Sequence, residues 1–138
     1  MRLREQLIRD EGKKPFAYQD SLGYWTIGVG RLIDQRKGGR LTDDEINYLL
    51  DNDIREKTAQ VLNALPFAKD LDEVRFSALV NLAFAGIGTL LQFKKMLVAM
   101  QARNWDEAAK QLLDSKYATQ VGDRANRLAK QLTTGDWQ

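Results

Sequence analysis

The chain has 138 residues, of which 43% are hydrophobic and 29% are charged, and its formal net charge is +2 at pH 7. This length supports one domain with a sizeable core and is too short for two independent domains. The sequence contains no Cys and no His. That composition excludes a disulfide framework, a Ser-His or Cys-His triad, and a zinc site built from those ligands. Carboxylates remain as the obvious catalytic groups.

The charges are unevenly distributed, with basic residues in excess at both ends and acidic residues in excess over 41–73. Basic ends would suit an anionic polymer, although a solvated surface with internal ion pairs explains the same pattern and is favoured by charge alone. Lys and Arg do not interleave with aromatic residues, so we expect no nucleic-acid partner. No apolar run is long enough to cross a bilayer, and residues 1–5 lack the apolar core of a signal peptide. We therefore expect no stable membrane insertion.

The first forty residues predict one helix and three short strands. Residues 2–11 place Leu3, Leu7 and Ile8 on one helical face, and Gly12 is a natural stop. The strands are rich in β-forming residues and are separated by glycines. They are placed at 16–18, 24–27 and 31–33, before a polar loop at 35–40.

The remainder of the chain predicts helices. Thr42 and Glu45 form a capping box, in which each side chain satisfies a free backbone amide of the other residue. This box begins a long helix over 42–65, which ends before Pro66. A central core helix capped by Asp72 follows. Its predicted range and those of the later helices are 74–84, 89–101, 105–114 and 123–134.

Two carboxylates lie on different local structures near the N-terminus. Glu11 ends the first helix, and Asp20 ends a strand before the turn at 21–23, which leads to a strand carrying Thr26. A helix-borne acid that faces a hairpin-borne acid can cleave a glycosidic bond, with a hydroxyl to place water. Glu11 follows Leu7 by four residues, so we expect it to continue the buried stripe and to be partly desolvated. Asp20 and Thr26 each also have a simpler interpretation. Asp20 would serve only to form the turn, and Thr26 would reflect only strand propensity.

The spacing of Glu11, eight residues, Asp20, five residues and Thr26 resembles the motif of the phage-type lysozymes, a family of glycoside hydrolases. Other segments agree along nearly the whole chain. They are Leu71-Asp72, Asn81 to Phe84, Trp105 to Ala109, Arg124 to Arg127 and Thr134 to Trp137. The resemblance implies a mainly helical α+β, lysozyme-like fold of two lobes. It implies a small three-stranded antiparallel sheet lobe joined by a long helix to a helical bundle.

In domain terms, we expect a single lysozyme-like domain over residues 1–138. The small β-rich lobe covers 12–50, and the helical lobe covers 1–11 and 51–138, with the helix at 42–65 linking the two. A cleft where the lobes meet is the natural substrate site.

The resemblance also implies a function. The enzyme would be an endolysin muramidase that hydrolyses the β-1,4 bond between N-acetylmuramic acid and N-acetylglucosamine in peptidoglycan, by single displacement with inversion. Glu11 would be the general acid, while Asp20 and Thr26 would place and activate water. No metal or organic cofactor is implied, and a monomer is the default. An endolysin is made in the host cytoplasm and remains there until it is released to the cell wall or periplasm, where it lyses the bacterium.

Further residues are assigned by the same resemblance. Arg124 corresponds to an arginine that pairs with the catalytic glutamate, and we expect a contact between Glu11 and Arg124. Leu32, Phe84 and Gln111 match positions that bind the glycan, although core packing explains Leu32 and Phe84 equally well.

Three departures from the family pattern are visible. Arg31 replaces a histidine that pairs with an aspartate, and Asp53 stands at the place of that aspartate, so we expect an ion pair between them. Ala85 replaces an amide residue. The segment between Ile33 and Thr42 is too short for the small-lobe helix of the relatives, which thins the rim of the cleft.

Two alternative functions stay open. A lytic transglycosylase needs only the glutamate and releases an anhydro-sugar, and the presence of Asp20 and Thr26 argues against it. A catalytically silent wall-binding module would keep the fold without the reaction, and its only support is Ala85 together with the short rim.

Overall fold

The computed structural model describes residues 2–35 and 38–138, and these residues form eight α-helices and one three-stranded antiparallel sheet of order β1-β2-β3. The predicted class, α+β and mainly α with a small antiparallel sheet, is confirmed. Compact packing divides the chain into an N-terminal unit, Met1–Leu50, and a C-terminal unit, Asp51–Gln138. Residues 1–11 group with the N-terminal unit, so their predicted place in the helical lobe stays a prediction.

The N-terminal unit is a helix followed by a β-meander. Helix α1 covers Arg2–Glu11 and ends where Gly12, at φ +79°, donates its amide to the carbonyl of Ile8 at 2.9 Å. The sheet contains β1 (Lys14–Gln19), β2 (Trp25–Gly28) and β3 (Arg31–Leu32). Thr26 lies opposite Tyr18 on one side and opposite Leu32 on the other. The predicted order of helix and strands is therefore observed, with boundaries shifted by one or two residues.

Helix α2, Asp43–Ala64, begins with the predicted capping box. Glu45 donates its amide to Oγ1 of Thr42 at 3.2 Å, and its Oε1 accepts the amide of Thr42 at 3.0 Å. Glu45 Oε2 also accepts a 2.6 Å hydrogen bond from Nη2 of Arg31. The Thr42 amide first, and then the Arg31 guanidinium, hold the pKa of Glu45 below its ordinary value.

This pairing gives Arg31 an acidic partner within its own unit. The capping box fixes the Glu45 carboxylate at the start of α2, where the guanidinium of Arg31 reaches it. The predicted ion pair of Arg31 with Asp53 would join residues of different units and stays a prediction.

The C-terminal unit is helical. After a 3₁₀ turn at Pro66–Asp70 it contains α3 (Glu73–Ala83), α4 (Ile87–Leu91), α5 (Lys94–Gln101), α6 (Trp105–Leu113), α7 (Lys116–Val121) and α8 (Asp123–Thr134). Most side chains of α3 from Ala78 onward are buried, as expected of a central helix. The single helix predicted over 89–101 is wrong, because the chain breaks at Gln92 and Phe93 into α4 and α5. Helix α7 and the 3₁₀ turn were not predicted.

Arg75 ties α3 to the end of α8. Its Nε donates to the carbonyl of Leu132 at 2.7 Å and its Nη2 to the carbonyl of Thr133 at 3.1 Å. The guanidinium carbon lies 4.2 Å from the ring centre of Trp105. A cation therefore satisfies carbonyls at the C-terminus of α8, where the helix dipole is negative.

Across the described parts of the chain, no helix is both long and apolar enough to cross a bilayer.

Candidate active site

Glu11 is the last residue of α1, and its side chain lies against the turn between β2 and β3. A β-carbon added to Gly30 in that turn would lie 2.5 Å from Oε2 and 2.9 Å from Cβ of Glu11. Within its own unit, the Glu11 carboxyl has no hydrogen-bond or ion-pair partner among the described residues. Within this unit, the described contact of this carboxyl is therefore its packing on the backbone of Gly30.

The expected burial of Glu11 is not found. Its side chain is exposed, and none of the described residues of α1 is buried. The apolar face of α1 has little cover, since Leu3 is 67% and Leu7 is 45% exposed. The N-terminal unit is too small to enclose its own apolar side chains, so any shelter for Glu11 has to come from outside this unit.

Asp20 follows β1 and folds the hairpin to β2. Its Oδ1 accepts the amides of Leu22 at 2.9 Å and of Tyr24 at 2.8 Å. Its own backbone amide donates to the carbonyl of Tyr24 at 2.8 Å. The turn-forming role of Asp20 is thus observed. Oδ2 makes no hydrogen bond to any residue that the structure describes, which leaves one carboxylate oxygen for a ligand.

Thr26 is the one buried residue among the described part of the N-terminal unit, at 5% exposure. It lies in the central strand β2, and its Oγ1 donates to the carbonyl of Tyr24 at 3.2 Å. Because the hydroxyl hydrogen is used in this bond, the lone pairs of Oγ1 are the part that can receive a proton donor such as water. Asp20 and Thr26 share Tyr24 as a backbone partner, which couples their positions.

Arg124 lies on α8 in the C-terminal unit, where Asn81 holds it. Its Nη2 donates to Oδ1 of Asn81 at 2.7 Å and to the backbone carbonyl of the same residue at 3.2 Å. The guanidinium also stands 5.9 Å from the ring centre of Tyr117. The predicted contact of Arg124 with Glu11 would join residues of different units and stays a prediction.

The three predicted glycan-binding residues are placed as follows. Leu32 is 43% exposed and lines a pocket of about 700 Å³ with Ile33 and Leu41. Phe84, at the C-terminal end of α3, is 40% exposed. Gln111 lies half-buried on α6, where its Nε2 donates to Glu107 Oε1 at 2.8 Å. The exposure of Leu32 and Phe84 speaks against simple core packing and leaves both available for contact.

The structure thus brings Glu11, Asp20, Thr26 and Leu32 into one compact unit. Phe84, Gln111 and Arg124 belong to the other unit, and the predicted cleft stays a prediction. In residues 2–35 and 38–138, no three Asp or Glu side chains gather as a candidate metal site.

Two residues of the candidate site were missed by sequence reasoning. The sequence predicts Gly30 only as one of the glycines between strands, and Asn81 only as part of a core helix and of a segment that agrees with the family. No local signal identifies either, because Gly30 acts through its contact with Glu11 and Asn81 through a residue 43 positions away.

Comparison with known proteins gives a consistent result. The profile of the family described as "Phage lysozyme" matches residues 9–133. The chain is 28% identical to "Probable T4-type lysozyme 1" of Dictyostelium discoideum, over 96% of this chain and 94% of that protein. "Probable T4-type lysozyme 2" of the same organism is 29% identical over the same shares. "Pre-baseplate central spike protein Gp5" of Enterobacteria phage T4 is 30% identical over 99% of this chain, which corresponds to 28% of that protein.

The fold and the matching profile define a lysozyme, that is, a glycoside hydrolase acting on peptidoglycan. Since the match covers most of the sequence, the chain belongs to the phage lysozyme family. The resemblance drawn from the Glu11, Asp20 and Thr26 spacing and the predicted enzyme class are confirmed.

Proposed function

We propose that this lysozyme is an endolysin muramidase, which cleaves the β-1,4 bond between N-acetylmuramic acid and N-acetylglucosamine. One observation carries the proposal: a single compact unit contains Glu11, at the end of α1 and against the β2–β3 turn, and both Asp20 and Thr26 on the hairpin of β1 and β2. The acid and the water-binding pair thus come from different elements of the same unit. This is what a reaction requires when a proton donor and a nucleophile must approach a sugar from different sides.

Glu11 acts as the general acid. It donates its proton to the glycosidic oxygen, so that N-acetylglucosamine leaves with a hydroxyl group. Its exposed carboxyl has no competing hydrogen bond to the described residues of its own unit and is therefore available to the glycosidic oxygen. A positioned general acid contributes about 10²–10⁴ in rate.

Asp20 and Thr26 hold the attacking water. One hydrogen of the water points to the free Oδ2 of Asp20 and the other to the lone pairs of Thr26 Oγ1. The water oxygen then attacks the anomeric carbon while Asp20 takes a proton. The two amides on Oδ1 of Asp20 and the shared partner Tyr24 keep both acceptors fixed during this step.

The remaining residues support binding. Leu32 and Phe84 contact the sugar rings through their exposed apolar side chains, and Gln111 offers an amide to the glycan. Arg124, held by Asn81, pairs with Glu11 and fixes its orientation. The enzyme works as a monomer and uses no cofactor.

The stereochemical course tests the single displacement. Attack by water on the face opposite the leaving group inverts the anomeric carbon, so the first product is the α-anomer. Proton NMR of a soluble peptidoglycan oligomer, recorded in the first minutes of cleavage, should show the α-anomer before mutarotation. Initial formation of the β-anomer would contradict the proposed role of Asp20.

Product analysis separates hydrolysis from the transglycosylase reaction. Mass spectrometry of a wall digest should find muropeptides with hydrated reducing ends. Products lighter by one water, with an anhydro-sugar, would identify a transglycosylase and leave Asp20 and Thr26 without a chemical role.

The biological role is lysis of the host from within, after the enzyme passes from the cytoplasm to the cell wall or periplasm. Expression in bacterial cells should leave them intact until the inner membrane is permeabilised, after which turbidity should fall. Lysis without permeabilisation would contradict this localisation.

A further inference from the structure

We infer that Gly30 is a positioning residue for Glu11, because only a residue without a side chain lets the Glu11 carboxyl lie where it does. The inference rests on the proposed role of Glu11 as the general acid. It adds a second requirement to that role, which is the shape of the turn beneath the acid.

The contact covers the length of the Glu11 side chain. A β-carbon at position 30 would lie 2.5 Å from Oε2, 2.7 Å from Cδ and 2.9 Å from Cβ of Glu11. Carbon atoms at van der Waals separation are about 3.5–4.0 Å apart. An alanine at this position could therefore not be accommodated by moving the carboxyl alone, since Cβ of Glu11 also lies too close. The whole side chain would have to leave its place.

The neighbouring glycine provides a matched control. Gly28 is the last residue of β2 and Gly30 lies two residues later in the turn to β3, and their φ angles are similar, at +70° and +60°. Both would be strained by a side chain, since positive φ disfavours residues other than glycine. No described atom lies within 4 Å of a β-carbon added to Gly28. The two positions share the backbone requirement and differ in their contact with Glu11.

The kinetic test compares Gly30→Ala with Gly28→Ala in hydrolysis of a soluble peptidoglycan oligomer. For Gly30→Ala we expect kcat to fall by about 100-fold or more, because a misplacement of about 1 Å costs that much. KM should stay within about threefold, since remote sugar contacts are unchanged. Gly28→Ala, which shares the positive φ but not the contact with Glu11, should keep most of the wild-type kcat. Equal losses of kcat in both variants, with KM unchanged in both, would show that Gly30 is an ordinary turn residue and would overturn the inference.

A stability measurement tests the contact without relying on activity. In a double-mutant cycle, Gly30→Ala should lower Tm by about 4 °C more in the wild-type background than in the Glu11→Gly background. The reason is that Glu11→Gly removes all three atoms, Cβ, Cδ and Oε2, that the new methyl group would meet. If Gly30→Ala does not fold, recovery of the fold by adding Glu11→Gly supports the contact. Failure of the double variant to fold, while Glu11→Gly and Gly28→Ala each fold, counts against it.

The two measurements distinguish the possible failures. If the Tm effects of the two substitutions are coupled but the wild type does not hydrolyse peptidoglycan, the proposed function is overturned. The positioning role of Gly30 is then overturned as well, and only its contact with Glu11 is supported. Hydrolysis by the wild type together with no coupling in Tm would overturn the inference about Gly30 alone.

Discussion

Asp20 has two roles that substitution can separate, one in the hairpin turn and one in the reaction. Asp20→Asn keeps an oxygen that can accept the amides of Leu22 and Tyr24, but it removes the negative charge. Asp20→Ala removes both the acceptor and the charge. If Asp20 only formed the turn, Asp20→Asn would behave as the wild type in every assay.

The structure sets the expected magnitudes. The Tyr24 amide is partly buried, so the loss of its 2.8 Å bond to a carboxylate costs about 1.5–2 kcal/mol. The Leu22 amide is exposed and water can replace its 2.9 Å bond, which reduces that loss to about 0.5–1 kcal/mol. Asp20→Ala should therefore lower the free energy of unfolding by about 2–3 kcal/mol, and Asp20→Asn by less than about 1 kcal/mol. Both should lower kcat by about 10²–10⁴, because neither can take a proton from water.

Thermal unfolding followed by circular dichroism, together with initial rates of turbidity loss on purified walls, measures both effects in one set of variants. Asp44→Asn is the matched control for the rate, since it removes one exposed acidic charge from the same unit and should keep the wild-type rate. Its stability should fall by less than about 1 kcal/mol, because Asp44 lies in the first turn of α2. The reasoning would be refuted if Asp20→Asn kept more than about a tenth of the wild-type rate at wild-type stability.

Two further predictions concern stability. Arg75→Met removes the guanidinium that binds the carbonyl ends of α8 and stacks on Trp105, so urea titration should give a loss of about 3 kcal/mol. Arg127→Met, which removes an exposed arginine of α8, should change the free energy of unfolding by less than about 0.5 kcal/mol. Equal losses in the two variants would contradict the stabilising role of Arg75. Glu45→Gln should lower Tm at about pH 7 and have no effect at about pH 2. The pKa of Glu45 is lowered in the folded protein, so its ionised carboxylate stabilises the fold at pH values above the ordinary pKa of 4.5. This stabilisation is lost as the pH falls through the pKa of the folded state. A Tm deficit that is the same at both pH values would show that Arg31 and Thr42 do not act on the ionised carboxylate.

The features predicted well from sequence depend on neighbouring residues. The Thr42 and Glu45 capping box and the Asp72 cap of α3 both involve residues three positions apart, and each is observed. Helix α8 begins and ends as predicted, because Gly135 at φ +72° provides a left-handed cap. Local hydrogen bonds are encoded in local spacing.

The features missed from sequence depend on distant contacts. The break between α4 and α5 coincides with Phe93, whose ring packs edge-on against Tyr117 at 5.8 Å between ring centres. Periodicity cannot detect this packing, since the two residues are 24 positions apart. The exposure of Glu11 was missed for a similar reason. An apolar stripe on a helix indicates that this face packs against another element, but it does not identify that element. The spacing of Glu11, Asp20 and Thr26 identified the family without giving the contact with Gly30.

The most direct test of the account is the rate of new reducing ends released from purified peptidoglycan by the wild type and by Glu11→Gln. Glu5→Gln, a change of the same kind at an exposed residue of the same helix, is the control. We predict rapid release by the wild type and by Glu5→Gln, and a rate at least about 100-fold lower for Glu11→Gln with an unchanged fold. Release by Glu11→Gln at the rate of the control would mean that another group donates the proton, and the central claim would be wrong.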